Sequence, residues 1–358
     1  MSTCPRDLPT ANDLPGLPAA NTEKWLRETL PDLLDGGPWQ AELISGGLSN
    51  ITYRLRLPHA TVILRRPPLG EVLPSAHDMK REYRVQTALA GTDVPVPRTL
   101  ALCTDPDVLG CPFYVMAEVP GAVLRTAQDT AGLTPEARSA LADGLVGTLA
   151  DLHSVKPSSV GLADFGRPYG YCARQISRWG DQWQRSHTRV LPAMDVLLNR
   201  LSDHVPVHSD ASIVHGDYRL DNTIVDLGGP PRIAGVLDWE LSTLGDPLAD
   251  LAMTLTYWHD RDDTDRALVP VAVGVTTPEG FPSSRQVAEQ YAVSTGRDLS
   301  LLPFYLAFSA MKLAVILEGV HARYIGGQTV SEGYEGAGDA VPFLVSKGLQ
   351  HLRSLEHR

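Results

Sequence analysis

The spacing of apolar residues changes character once along the chain. Up to residue 117 they fall in short runs rich in β-branched and aromatic side chains: Glu42–Ile44, Ile51–Leu57, Thr61–Arg65, Thr99–Cys103 and Phe113–Ala117. Such runs predict strands. Ser45–Asn50 (SGGLSN) reads as a glycine-containing hairpin loop between the first two runs. Pro67-Pro68 stops the third, because proline cannot donate to a ladder. One helix is expected in this block. It opens at Ser75, with Asp78 three residues on as an acidic variant of the capping box, and ends at Gly91. Thr104–Asp107 reads as a turn. Upstream, residues 1–20 read as a loose, Pro-rich leader. Asn21 or Thr22 then caps a helix that runs through Leu34 to the Asp35-Gly36-Gly37-Pro38 stop.

After Pro120-Gly121 the period becomes helical. Thr134-Pro135-Glu136 starts a helix with the stripe Leu141, Leu145, Leu149 and Leu152. Gly170–His204 is expected to be largely helical with a break near Pro192. Three short strands follow, over Ser212–Val214, Thr223–Asp226 and Arg232–Leu237. Helices are expected at Leu248–Trp258, Ser284–Ser294 and Ser300–Tyr324. Leu301–Leu317 is the most apolar stretch. It is shorter than the ~20 residues of a membrane span and carries Lys312 and Ser309, so a buried core helix is expected. The chain thus reads as α+β in three segments: a leader and helix (1–34), a small β-rich lobe (35–117) and a larger helical lobe (118–358).

Composition narrows the function. The chain has 358 residues, 43% apolar and 20% charged, which is ordinary for a globular protein with a sizeable core. Lys plus Arg number 31 against 42 Asp plus Glu, a net charge of −11. Phosphate backbones are held by clustered Lys and Arg, so no nucleic-acid partner is expected. Cys4, Cys103, Cys111 and Cys172 have no CxxC pair or metal spacing and read as reduced thiols. The N-terminus lacks a basic segment followed by an apolar core, so it does not read as a secretory signal, and a cytoplasmic location is expected with no membrane partner.

The sharpest chemistry is His215-Gly216-Asp217-Tyr218-Arg219-Leu220-Asp221-Asn222, followed by Leu237-Asp238-Trp239-Glu240. Phosphoryl transfer needs a carboxylate that orients the attacking hydroxyl and accepts its proton. It also needs hard oxygen ligands that hold Mg²⁺ against the nucleotide phosphates. HxDxxxxN offers a base, Asp217, and a metal ligand, Asn222, from one tight loop. Asp238, at the end of the next strand, offers a second ligand. The competing reading is a polar turn capped by Asp217 and Asn222.

HGDYRLDN, LDWE and GDPLADLA (Gly245–Ala252) together resemble the aminoglycoside phosphotransferase family of the protein-kinase-like fold. Within it they resemble the subgroup whose kinase domain is fused, in some animals, to acyl-CoA dehydrogenases. The resemblance covers roughly residues 35–330. It implies a bilobal fold and transfer of the ATP γ-phosphate to a small-molecule hydroxyl. Asp217 is then the catalytic base, and Asn222 and Asp238 are the Mg²⁺ ligands. Arg219 lies where protein kinases keep a phosphate-contacting Lys; otherwise it forms a surface charge or salt bridge. His215 is a packed loop anchor, Glu240 touches metal indirectly or is structural, Asp250 braces the catalytic loop, and Asp246 caps the helix before Pro247.

The same resemblance implies that Ser45, Gly46, Gly47 and Ser49 cover the phosphates, and that the backbone of Ala117 and Glu118 meets adenine. One departure stands out. The third strand offers Arg65 or Arg66 where the family keeps a Lys. On a strand Ile63 and Arg65 share one face and Val62, Leu64 and Arg66 the other; the kinase pattern, with one of the two residues before the Lys facing the core and one the cleft, then implies Arg65, with Arg66 the alternative, and Glu82 on the next helix as its partner. Asp238 is separated from Gly245-Asp246-Pro247 by too few residues for a peptide-docking segment, so no protein substrate is expected.

The acceptor is read from an insert over Tyr171–Arg189. Arg174, Arg178, Arg185 and Arg189 stand against Asp181 alone, a sum of +3, with Trp179 and Trp183 between them. These read either as a solvated face with core tryptophans or as a site for an anionic acceptor. By resemblance to the fused subgroup, a hydroxy acid or hydroxyacyl thioester is a candidate. The rivals are an antibiotic phosphotransferase, for aminoglycosides or macrolides, and a nucleotide-binding pseudokinase that lacks the usual Lys.

Overall fold

The computed structural model of the protein describes residues 14–44, 50–69, 77–207, 211–327 and 336–356. They form two compact units, within the ranges Met1–Gly91, Pro95–Pro120 and Leu237–Glu240 for the first, and Thr92–Val94, Gly121–Val236 and Leu241–Arg358 for the second. The architecture is α+β, with a five-stranded antiparallel sheet in the first unit and a mainly helical second unit.

The first unit runs α1 (Ala19–Thr29), α2 (Pro31–Leu34), β1 (Gln40–Leu43), β2 (Ile51–Arg56), β3 (Thr61–Arg66), α3 (Met79–Leu89), β4 (Thr99–Cys103), α4 (Pro106–Leu109) and β5 (Phe113–Ala117). The sheet order is β1-β2-β3-β5-β4, and every neighbour is antiparallel. Strand alternation sorts its side chains. Tyr53, Leu55, Val62, Leu64, Phe113 and Val115 are buried in one cluster with Leu17, Leu26 and Trp39. Ile63, Tyr114 and Met116 pack on the opposite face with Met79 of α3. Each such side chain, fully buried, contributes roughly 1.5–3 kcal/mol.

Several local expectations change here. The single helix to Leu34 is two helices, because Pro31 starts a new one and cannot continue the old. Neither Asn21 nor Thr22 caps α1: its N-cap is Pro18, and the Thr22 hydroxyl donates to Pro18 O at 2.8 Å. The leader is packed where it is described, with Leu17 1% exposed. Ser75 lies outside the described residues, and Asp78 itself caps α3, accepting from the Lys80 and Arg81 amides. Finally, the turn at Thr104–Asp107 winds into α4, capped by Asp105, which accepts from the Asp107 amide at 2.9 Å.

The second unit runs α5 (Ala127–Ala131), α6 (Pro135–Ser154), α7 (Tyr171–Ser186), α8 (Pro192–Asp203), β6 (Ser212–Val214), β7 (Thr223–Asp226), β8 (Arg232–Val236), β9 (Thr243–Gly245), α9 (Pro247–Tyr257), α10 (Ser284–Thr295), α11 (Leu302–Ile325) and α12 (Ala340–Glu356). Two small antiparallel pairs, β6-β9 and β7-β8, carry the loop 215–222 between β6 and β7. The main core is built from α7, α8, α9, α11 and α12. The α11 helix is long and apolar enough to cross a membrane, and 83% of its most apolar stretch is buried in this core. The pattern did not reveal α12, since Pro342 and Gly348 interrupt it. Gly348 is there for close packing: a Cβ would lie 2.9 Å from Leu197 Cδ2 on α8.

Candidate active site

The loop after β6 is held by one buried carboxylate. Asp250, on the first turn of α9, accepts the His215 amide at 2.6 Å on Oδ2 and the Gly216 amide at 2.7 Å on Oδ1. His153 Nε2 lies 3.3 Å from Asp250 Oδ2, and the His153 Nδ1 meets the Tyr291 hydroxyl at 2.6 Å. Burial would raise the Asp250 carboxyl, but the His153 hydrogen bond and charge and the His215 amide outweigh it and hold it below the usual carboxylate range. Burial keeps His153 below the usual imidazole range. Asp246 caps α9 from its own side, accepting the Leu248 amide at 3.0 Å and the Tyr305 hydroxyl at 2.5 Å.

Gly216 has φ +87°, and a Cβ there would fall 2.8 Å from Leu241 O, so only glycine fits. The turn it makes presents Asp217. The Asp217 amide donates to His215 Nδ1 at 3.2 Å, which makes fully buried His215 the anchor of the loop. Asn222, closing the 3-10 turn Leu220–Asn222, donates its side-chain nitrogen to Asp217 O at 2.8 Å and Asp217 Oδ2 at 2.9 Å. Its Oδ1 is thereby left as the acceptor a hard cation takes. Arg219 Nε lies 3.2 Å from Asp221 Oδ1 and 3.5 Å from Asp217 Oδ2, and its guanidinium stacks 4.6 Å over the Tyr257 ring. Tyr257 also hydrogen-bonds Asp217; burial first, and then that carboxylate, push its phenol well above the ordinary value.

The first unit carries a second polar cluster. Arg65 shares the face of Ile63, toward α3, and its Nε donates to Glu82 Oε2 at 2.8 Å. Its Nη2 donates to Asp238 Oδ1. Burial pulls the guanidinium down, but Glu82 and Asp238 outweigh it and raise it above its ordinary value, so Arg65 stays charged. Glu82, 1% exposed, also accepts from Asn50 Nδ2 at 2.8 Å and from the Tyr114 hydroxyl at 3.1 Å. Asn50 bridges on to Glu240 Oε2 at 3.2 Å. Arg66 points to the other face, where its guanidinium donates to the carbonyls of Gly16 and Leu109. Asp238 has φ +65°, a left-handed conformation that Asp tolerates better than most residues.

Other expected positions fall differently. Ser45, Gly46, Gly47 and Ser49 lie outside the described residues. The Ala117 amide donates to Arg98 O at 2.8 Å and the Glu118 amide to Thr61 O at 3.4 Å, so neither N–H is spare for a base. The Glu118 side chain pairs with Arg54 at 2.5 Å. In the insert, Arg189 pairs with the buried Glu318 at 3.1 Å, Arg174 donates to the carbonyls of Tyr169 and Arg167, and Trp183 is in the core. Arg178 and Arg185 remain beside an open depression of about 450 Å³ along α7, with Asp181. Among the described residues no three His, Cys, Asp or Glu side chains group to hold a metal by themselves. Asn50, Tyr114, Tyr257 and Lys312 were not singled out from the sequence for the site; only their positions in the fold mark them.

This fold is shared with structures of phosphotransferases. The profile of the phosphotransferase enzyme family matches residues 40–281, and the chain belongs to that family. It is 39% identical over 311 residues to human acyl-CoA dehydrogenase family member 11, an alignment covering 85% of this chain and 39% of the relative. The chain thus spans well under half the length of that relative. A solved structure from Ralstonia eutropha, provisionally assigned as an aminoglycoside phosphotransferase, is 35% identical with TM-score 0.77, covering 94% of this chain and 98% of that one. An aminoglycoside phosphotransferase solved as a ternary complex with ADP and hygromycin B shares the fold alone, at 16% identity and TM-score 0.59 over 93% of this chain and 98% of the other. The chain belongs to this family and shares its fold.

Proposed function

We propose that the protein transfers the γ-phosphoryl group of ATP, with Mg²⁺, to a hydroxyl of a small molecule. The observation that carries the reading is the Asp217–Asn222 pair on a loop clamped by Asp250. Asp217 orients the acceptor hydroxyl and takes its proton as the oxygen–phosphorus bond forms and the bond to ADP breaks. Asn222 Oδ1 and the Asp238 carboxylate would each offer an oxygen to Mg²⁺, which would supply charge neutralisation on the phosphates. Arg65, kept charged by Glu82 and Asp238, stands in for the usual Lys toward the phosphates. Arg219 adds positive charge beside Asp217. The reaction is placed in the cytoplasm.

The acceptor we favour is anionic, a hydroxy acid or a hydroxyacyl thioester. The basic residues Arg178 and Arg185 along α7 support it, as does the likeness to acyl-CoA dehydrogenase family members. The test is a screen of hydroxylated metabolites for phosphate taken from labelled ATP, with Mg²⁺ and with chelator. A labelled product that requires Mg²⁺ and disappears in Asp238→Ala supports the reading. Nucleotide binding with no product from any pool favours a nucleotide-binding module instead. Turnover confined to aminoglycosides or macrolides favours the antibiotic enzyme.

A further inference from the structure

A cation sits inside the apolar core without a carboxylate to pair it. Lys312 lies on α11 between Met311 and Leu313, which are 0% and 1% exposed, and is itself 7% exposed. A buried charge is costly unless it is compensated. Burial pulls the Lys312 ammonium below its ordinary range, and the Asp217 and Asp250 charges oppose that. The Nζ donates to Gly216 O at 2.6 Å and faces the Trp179 ring at 5.8 Å. Among the described residues no carboxylate lies within ion-pair distance of it. A methionine of similar length would fill the same space, so packing alone does not account for the lysine.

The carbonyl it holds does. Gly216 immediately precedes Asp217, in a left-handed conformation whose N–H is bound by Asp250. The peptide between Gly216 and Asp217 is then pinned at both ends: its oxygen by Lys312, its N–H by His215 Nδ1 at 3.2 Å. A peptide plane held at both ends has no freedom to rotate, and the Asp217 side chain projects from it. We propose that Lys312 is a positioning residue for phosphoryl transfer, clamping the Gly216 carbonyl so that the Asp217 carboxylate is held in its working direction. This rests on the reading of Asp217 as the base.

The test uses the full chain with Lys312→Met, Lys312→Arg, Asp217→Asn and the Lys312→Met/Asp217→Asn double variant. Three measurements are made: hydrogen exchange of segment 214–222, thermal midpoint, and hydrolysis of Mg·ATP with water as acceptor. Lys312→Met should leave the thermal midpoint near the wild-type value, because an apolar side chain of similar length fills the space while the favourable contacts of a buried charge are lost together with its desolvation. It should nonetheless speed exchange in 214–222 and lower kcat by about ten- to hundredfold, with KM for ATP within a few-fold. Lys312→Arg should restore part of both. On the Asp217→Asn background Lys312→Met should add little, since the group it positions is gone.

Unchanged exchange in 214–222 overturns the proposal whatever the activity. So does a fall in thermal midpoint with a proportionate loss of all functions, which marks a merely structural lysine. If Lys312→Met does not fold, Lys312→Gln, one bond short of Gly216 O, gives the same readouts. If Asp217→Asn hydrolyses ATP like the wild type, the base assignment fails, and exchange in Lys312→Met still decides the clamp.

Discussion

Asn222 donates its side-chain nitrogen to Asp217 Oδ2 at 2.9 Å, holding the carboxylate of its own loop in one orientation. If Asp217 is the base, as proposed, such orientation contributes typically ~10²–10⁴-fold to transfer. Asp217→Asn should therefore cut turnover by roughly that factor while ATP affinity stays within a few-fold. Asn is nearly isosteric, so the fold should hold. If Asp217 only caps a turn, Asn replaces it at almost no cost. Measuring kcat and nucleotide Kd on this one variant separates the two.

The two arginines that end β3 should behave oppositely. Arg65→Ala removes the charge between Glu82 and Asp238 and should weaken ATP use, with Arg65→Lys partly tolerated. Arg66→Ala instead strips hydrogen bonds from the Gly16 and Leu109 carbonyls in a buried position. Leaving buried carbonyls unmet costs about 1–3 kcal/mol each, so it should lower the melting temperature before it alters the KM for ATP. Damage to ATP use from Arg66→Ala with full stability would contradict this division.

Polycationic aminoglycosides should be poor acceptors. Arg178 and Arg185 line the α7 depression against the single carboxylate Asp181. A kanamycin-like cation meets net repulsion there. Steady-state turnover with kanamycin at a level matching an anionic hydroxy acid would refute the expectation.

Stability should fall on mild acidification, in part through His351 on α12. Burial first, and then the Lys347 charge, push its imidazole down to about 4. The unfolded chain takes up a proton near pH 6.5, and the folded chain refuses it until about pH 4. His351 therefore costs nothing above pH 6.5, and stability is lost progressively between 6.5 and 4, by up to about 3 kcal/mol. His351→Leu should flatten that part of the profile, read by denaturant unfolding at several pH values.

Short-range chemistry was legible in the sequence. Strand alternation separated Arg65 from Arg66, because successive side chains on a strand must take opposite faces. Asp246 before Pro247 marked a helix start, and HGDYRLDN marked a loop rich in donors and acceptors, because these features lie within a few residues of one another. The interruptions at Pro342 and Gly348 hid α12, since helix propensity there is overridden by packing against α8.

What only the tertiary structure decided are pairings between residues far apart in the chain. Lys312 reaches Gly216 across 96 residues, and Asn50 reaches Glu82 across 32. No local pattern tells a lysine on an apolar helix that its neighbour is the carbonyl beside Asp217, or distinguishes a loop asparagine from one that satisfies a buried glutamate. The residue types and their order determined that the chain belongs to the phosphotransferase family. Burial determined which of those polar groups must find partners, because a charge removed from water has to be met by whatever the fold brings to it.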